Sequence, residues 1–126
     1  MKFLPDETYA LLNATGGIQP LPGGAAFWAQ APETLDALGR DWLVSEFSCE
    51  ADWPSWEMHP EGEELVYLLE GEVEFVLDLP TGRTVQHLQG RGAVVVPRGV
   101  WHTARVLQPS RMFFITRGVG TQHRPA

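Results

Sequence analysis

An antiparallel all-β barrel or sandwich is the fold this sequence predicts, and three observations carry the expectation. After residue 40 the chain divides into short runs rich in β-branched and aromatic residues. Each run is closed by a glycine or proline turn, and no helical period appears in this region. At 126 residues the chain is long enough for one buried core and too short for two, so we expect a single domain: an arm over residues 1 to 40, a barrel core over 41 to 118 and a tail over 119 to 126.

The arm is the least regular part. "GGIQPLPGGAAF" reads as a Gly/Pro loop, and "PETLDALG" as one or two helical turns that open on a proline and stop at Gly39. "WLVSEFSCEA" is the first core strand, closed by the turn "DWPSW". "ELVYLL" follows and should end at Gly71. It is apolar at every position after Glu64, so with Glu64, Val66 and Leu68 inward, Leu65, Tyr67 and Leu69 need cover from outside. "EVEFVLDL" and "RTVQHL" form a hairpin about Pro80-Thr81-Gly82. "AVVVP", "WHTARVL" and "RMFFITR" complete the set, the last two separated by a turn at "QPS".

Composition excludes several function classes. The net charge is −7, from 16 acidic and 9 basic residues, and the arginines are scattered singly, so the basic stripe of a nucleic-acid surface is absent. Pro5, Asp6 and Glu7 interrupt any apolar leader, and no long apolar run follows; no membrane association and a cytoplasmic location are expected. Cys49 is the single cysteine, which rules out an internal disulfide and a thiolate cluster. Its acidic neighbours should raise the thiol pKa, which fits a structural strand residue.

The chemistry gathers in two segments. In "EMHPEGEELVYLLEG", Glu57 and His59 are two apart and share one face of an extended chain. Glu64 begins the next strand, where an antiparallel return brings it opposite His59. In "GAVVVPRGVWHTARV", Pro97 and Gly99 form a tight bend that delivers His102. Two imidazoles with one or two carboxylates and no sulfur suit Fe(II), Mn(II), Ni(II) or Zn(II). Without Glu57 the set is two histidines and one carboxylate with open positions, as in oxygen-activating iron sites. With Glu57 it becomes richer in oxygen and closer to neutral. Glu61, Glu63, Glu70, Glu72 and Glu74 read as solvated charge, His87 as exposed, and His123 as a surface residue unless the tail folds over the barrel mouth. Trp53, Trp56 and Trp101 are core residues or a surface on which a substrate stacks.

These segments resemble the two motifs of the cupin family: H-x-H, three or four residues, E, six residues, G; then G, five residues, P-x-G-x-x-H, three residues, N. His59, Glu64, Gly71, Pro97, Gly99 and His102 stand at matching spacing. The chain departs from the pattern at Glu57, where the family has histidine, at Gly92, one residue closer to Pro97, and at Val106, where the family has asparagine. The resemblance implies a cupin-type jelly roll, or double-stranded β-helix. It further implies a divalent metal held by Glu57, His59, Glu64 and His102, with Glu57 acting alternatively as a catalytic acid/base. A small-molecule substrate, a homodimer, and oxygenase, isomerase or lyase chemistry are also implied; a cupin that only binds a ligand or senses metal is the alternative, and the fold does not choose between them.

Overall fold

A computed structural model describes residues Met1–Ala126. Two short helices, α1 (Ala25–Trp28) and α2 (Pro32–Leu38), lie among nine strands. These are β1 (Thr8–Leu12), β2 (Ile18–Pro22), β3 (Trp42–Cys49), β4 (Ser55–Met58), β5 (Glu64–Leu79), β6 (Gly82–Gln89), β7 (Gly92–Val96), β8 (Trp101–Thr116) and β9 (Gln122–Pro125). All pairings are antiparallel within one rolled sheet. The 16-residue β8 is its spine, bordered by β3, β4 and β5 along different parts of its length.

Alternation along β5 is as expected: Val66 and Leu68 are fully buried, and Leu65, Tyr67 and Leu69 are half-covered. The inward residues join Phe75, Met112, Val94 and Val96 in the barrel core. The β5–β6 hairpin closes through Pro80-Thr81, with Leu79 opposite Gly82. α2 begins on Pro32 and is capped by Gly39, the boundaries its sequence predicts.

Three expectations are corrected. Gly71 does not end a strand: β5 runs through it, with irregular register against β8 from Leu68 to Val73. Nor does "QPS" divide β8. The two long strands cross here so closely that a Cβ on Gly71 would lie 2.5 Å from the Pro109 carbonyl oxygen and 2.6 Å from Ser110 Cα. The Gly71 φ is 103°, so a sharp bend replaces the turn. The sheet also extends beyond residues 41 to 118. "IQPLP" is strand β2 rather than loop, its two prolines tolerated because β2 is an edge. β1 joins β3, with Tyr9, Leu11, Phe27 and Leu43 forming a second small core, so the arm is part of the barrel wall. The tail becomes β9 against β4.

Candidate metal centre

Strand register brings the two motifs together. Glu57 on β4 is directly opposite His102 on β8, and on its other side directly opposite His123 on β9. Directly paired residues point to one face, so one carboxylate lies between two imidazoles. Glu64 starts β5 opposite Val96 and Thr116 rather than opposite His59 as its sequence position suggests, because the Pro60–Glu63 turn joins β4 to a strand that pairs elsewhere; the Thr116 hydroxyl donates to its Oε2. The Pro97–Gly99 bend is tied to the first motif by the Gly99 N–H, which donates to the His59 carbonyl at 2.9 Å. Gly99, at φ 76°, makes that bend possible.

The resulting cluster is tight. Glu64 Oε2 is 3.4 Å from His59 Nε2, and Glu64 Oε1 is 3.3 Å from His102 Nε2. Glu57 Oε2 lies 3.9 Å from each of the two Nε2 atoms. Ligand atoms that each sit about 2.1 Å from one ion are separated by roughly 3.0 to 3.4 Å in octahedral or tetrahedral arrangements. Glu57, His59 and His102 each offer a ligand atom within 4.8 Å of the other two, and Glu64 reaches His59 through Oε2 and His102 through Oε1, so small side-chain adjustments bring four donors to that spacing.

Hydrogen bonds fix which nitrogen faces inward. The Thr121 hydroxyl donates to the Gly118 carbonyl at 2.6 Å and therefore accepts from His59 Nδ1 at 2.8 Å. His102 Nδ1 donates to the Val100 carbonyl at 3.0 Å. Both rings thus direct an Nε2 lone pair at the centre, the orientation that metal-bound histidines take from their outer partners. Six buried side-chain polar atoms lack a hydrogen-bond partner, and three of them, His59 Nε2, Glu64 Oε1 and His102 Nε2, face one another. Three electron-rich atoms in one buried spot call for a proton donor or a cation between them.

The titration behaviour expresses the same demand. Burial pushes the Glu64 carboxyl up, but the adjoining His102 and His59 imidazoles outweigh it and hold it down at about 2. Burial disfavours charge on His102, yet Glu64, the Val100 carbonyl and Glu57 together raise it above its ordinary 6.5. In the metal-free protein a proton on His102 can supply that charge. That contribution to stability is complete below pH 6.5 and lost as pH rises through the raised value; the Glu64 contribution is present above 4.5 and lost as pH falls toward 2. A divalent ion competes with the proton. Thermal melts with and without Mn(II) should therefore show a stabilisation by metal that grows from pH 5.5 to pH 8, and an increment independent of pH would contradict the competition.

The cluster opens on a cavity of about 750 Å³, onto which Glu57, His59 and Glu64 face while His102 is fully buried behind them. The arm supplies one wall through Tyr9, Leu11, Phe27 and Leu35. Phe47 stacks on Phe114 at 4.9 Å between centroids, and Trp53 packs against both and against His102. Trp56 and Trp101 instead clamp the tail, with the Arg124 guanidinium over both rings. His123 is half exposed, but its Nε2 is 3.5 Å from Glu57 Oε1; that contact raises its pKa, burial opposes the rise, and the Glu57 charge supports it. The sequence signal for its approach is weak, because the β4–β9 pairing is non-local. His87 is exposed as expected and pairs with Glu72 at 2.6 Å. Glu61, Glu63 and Glu70 are exposed, while Glu74 faces Arg105. The Cys49 thiol is raised mainly by burial, with Trp53 offsetting part of it, rather than by its acidic flanks.

Comparison with known proteins agrees with this fold. The cupin domain matches residues 48–118. No curated protein matches the chain. Among solved structures, a cupin-2 domain containing protein from Shewanella frigidimarina has a TM-score of 0.51 at 18% identity, covering 68% of this chain and 71% of that one. Oxalate oxidase in complex with glycolate gives 0.54 at 17% identity, over 68% of this chain and 46% of that one. Bacillus subtilis oxalate decarboxylase, with its Mn(II) centers, gives 0.53 at 14% identity, over 67% and 23%. The chain thus spans less than half of either oxalate enzyme, and identities this low establish shared fold alone. No helix is long and apolar enough to cross a membrane. With the domain match covering more than half of the chain, and the jelly roll and both motif clusters in place, this protein belongs to the cupin family.

Proposed function

We propose that the protein is a metal-dependent cupin enzyme that converts a small molecule in the barrel cavity, with His59, Glu64, His102 and Glu57 as ligands to one divalent ion. The observation that carries this reading is the convergence of three unpartnered buried donor atoms at the floor of an open cavity. Neutral imidazoles and carboxylates suit Mn(II), Fe(II), Ni(II) or Zn(II), and proteins of the same fold are described with Mn(II) and with Fe(II). A bound ion would polarise a substrate oxygen and lower the pKa of a coordinated group.

The chain's own residues do the rest. Thr121 and the Val100 carbonyl hold the two rings in register, and Thr116 holds Glu64. Glu57 spans the centre and His123, with one oxygen toward each, so it can ligate through Oε2 while Oε1 exchanges a proton with the half-exposed imidazole.

Glu57→Gln is the test of the ligand role. We expect Mn(II) affinity to fall at least about tenfold, by analogy with the 10–100-fold losses seen for supporting residues of metal sites. Unchanged affinity with turnover lowered about 10²–10⁴-fold would instead make Glu57 the acid/base. Capture without conversion, the alternative function, is distinguished by oxygen uptake and product analysis with Fe(II)- and Mn(II)-loaded protein across small phenols, thiols and keto acids; saturable binding with no turnover would replace the enzyme reading.

The unit in solution is proposed to be a homodimer. Leu65, Tyr67, Val95, Phe113 and Ile115 adjoin one another by register on the outer face, and Val95 is more than half exposed. Sedimentation as a monomer at micromolar concentration would remove this proposal.

A further inference from the structure

The walls of the cavity carry information about what it takes up. Four of its lining residues bear carboxyl groups, Asp36, Asp52, Glu57 and Glu64, and no lysine or arginine lines it. The arginines that flank the barrel are engaged elsewhere: Arg117 donates to the carbonyls of Arg40 and Glu61, Arg124 lies over Trp56 and Trp101, and Arg111 sits beside Glu46 and Glu70. A divalent ion at the centre is already balanced by Glu57 and Glu64. Asp36 and Asp52, exposed at the cavity rim where they accept the backbone N–H groups of Gly120 and Val106, add negative charge to the approach, and the lining imidazole outside the centre, His123, already faces Glu57. A small dianion entering this space would meet like charge in a partly desolvated site, with no guanidinium or ammonium to receive its second carboxylate.

The apolar part of the wall is built for the opposite kind of ligand. Phe47 is 37% exposed and Trp28 55% exposed, both on the cavity. The Phe47 and Phe114 rings are within 3° of parallel, and Trp53 extends that aromatic surface to His102. Uncovered aromatic faces leading to a few convergent polar groups are the usual make-up of a small-molecule pocket, and about 750 Å³ lies within the usual size range of such pockets.

We infer that the centre takes a neutral or singly charged molecule with a flat apolar body, its oxygen head on the metal and its body along Phe47 and Trp53, with Phe114 backing Phe47, and that it discriminates against small dicarboxylates. The inference rests on the metal-centre reading above.

Its test uses three probes on Co(II)-loaded protein, followed by the visible spectrum of the ion: acetohydroxamate, benzohydroxamate and oxalate. Benzohydroxamate and acetohydroxamate share a head and differ in the ring. We expect benzohydroxamate to bind at least about tenfold tighter than acetohydroxamate, since burying a phenyl ring contributes well over one decade of affinity, and oxalate to bind more weakly than either. Phe47→Ala should erase most of the preference for the ring. Phe47→Arg, at a position open enough to accept it, should raise oxalate affinity at least about tenfold. Equal affinity for the two hydroxamates, or oxalate tighter than benzohydroxamate, overturns the inference.

A protein that binds no cobalt would overturn the metal-centre reading instead, and a metal-free experiment then decides this one. Saturable quenching of tryptophan emission by 2-naphthol, weakened in Phe47→Ala, supports the apolar site. Its absence ends the proposal.

Discussion

Exchange of His102 for alanine should lower divalent-metal affinity at least about a hundredfold and destabilise the protein by about 3 kcal/mol. The first figure follows from the loss of a direct ligand, which exceeds the 10–100-fold loss typical of an outer partner. The second follows from burial: His102 is fully enclosed, and its removal leaves a cavity beside a buried Glu64 carboxylate that has lost its closest source of positive charge. Calorimetric titration with Mn(II) measures the first effect and denaturant unfolding of the metal-free protein the second. His102→Gln fills most of the volume and offers an amide oxygen, so it should recover much of the stability and little of the affinity. Wild-type affinity in the alanine variant at neutral pH would exclude His102 from the centre.

Gly71→Ala should cost about 3 kcal/mol or more, lowering the melting temperature by about ten degrees. An alanine at φ 103° is strained wherever it occurs, by about 1–2 kcal/mol. Here the added Cβ also meets the Pro109 and Ser110 backbone, which cannot yield because it belongs to β8. Gly90→Ala separates the two effects, since Gly90 has φ 76° and open space around it, and should cost only about 1 kcal/mol. Equal melting temperatures for the two variants would mean that the crossing of β5 over β8 is looser than described. Because that crossing sets where Glu64 and His102 lie along their strands, Gly71→Ala should weaken metal binding as well as stability.

These two residues also show where sequence reading succeeds and where it stops. His59 and His102 are legible from local features, a two-residue alternation and a Pro-Gly bend, whereas Glu64 is marked by its strand start but placed by non-local pairing with Val96 and Thr116 rather than opposite His59. Gly71 was recognised as a special position, but a glycine that terminates a strand and one that lets two strands cross look the same in a single sequence. The arm was misread for a related reason. Pro20 and Pro22 argue against a strand until it is known that β2 lies at the sheet edge. His123 depended on the most distant information, since only the pairing of β9 with β4 brings it to Glu57, 66 positions away along the chain. Thr121, which orients His59, became visible with the same fold of the tail.

Glu57 is where the local and the non-local meet. Its two-residue offset from His59 predicts the shared face, and its pairing on both sides, with His102 and His123 on the flanking strands, makes the carboxylate here face imidazole in both directions. A histidine here would face two others and compete with them for protons.

The central claim is that one divalent ion sits among His59 Nε2, His102 Nε2 and the Glu64 carboxylate, with Glu57 completing the set. Anomalous scattering from crystals grown with Mn(II) tests it directly. The expected result is a single strong peak about 2.0–2.3 Å from both Nε2 atoms and from a Glu64 oxygen. Well-ordered crystals with no peak among these four side chains, or with manganese only on exposed carboxylates such as Glu63 and Glu70, would contradict it.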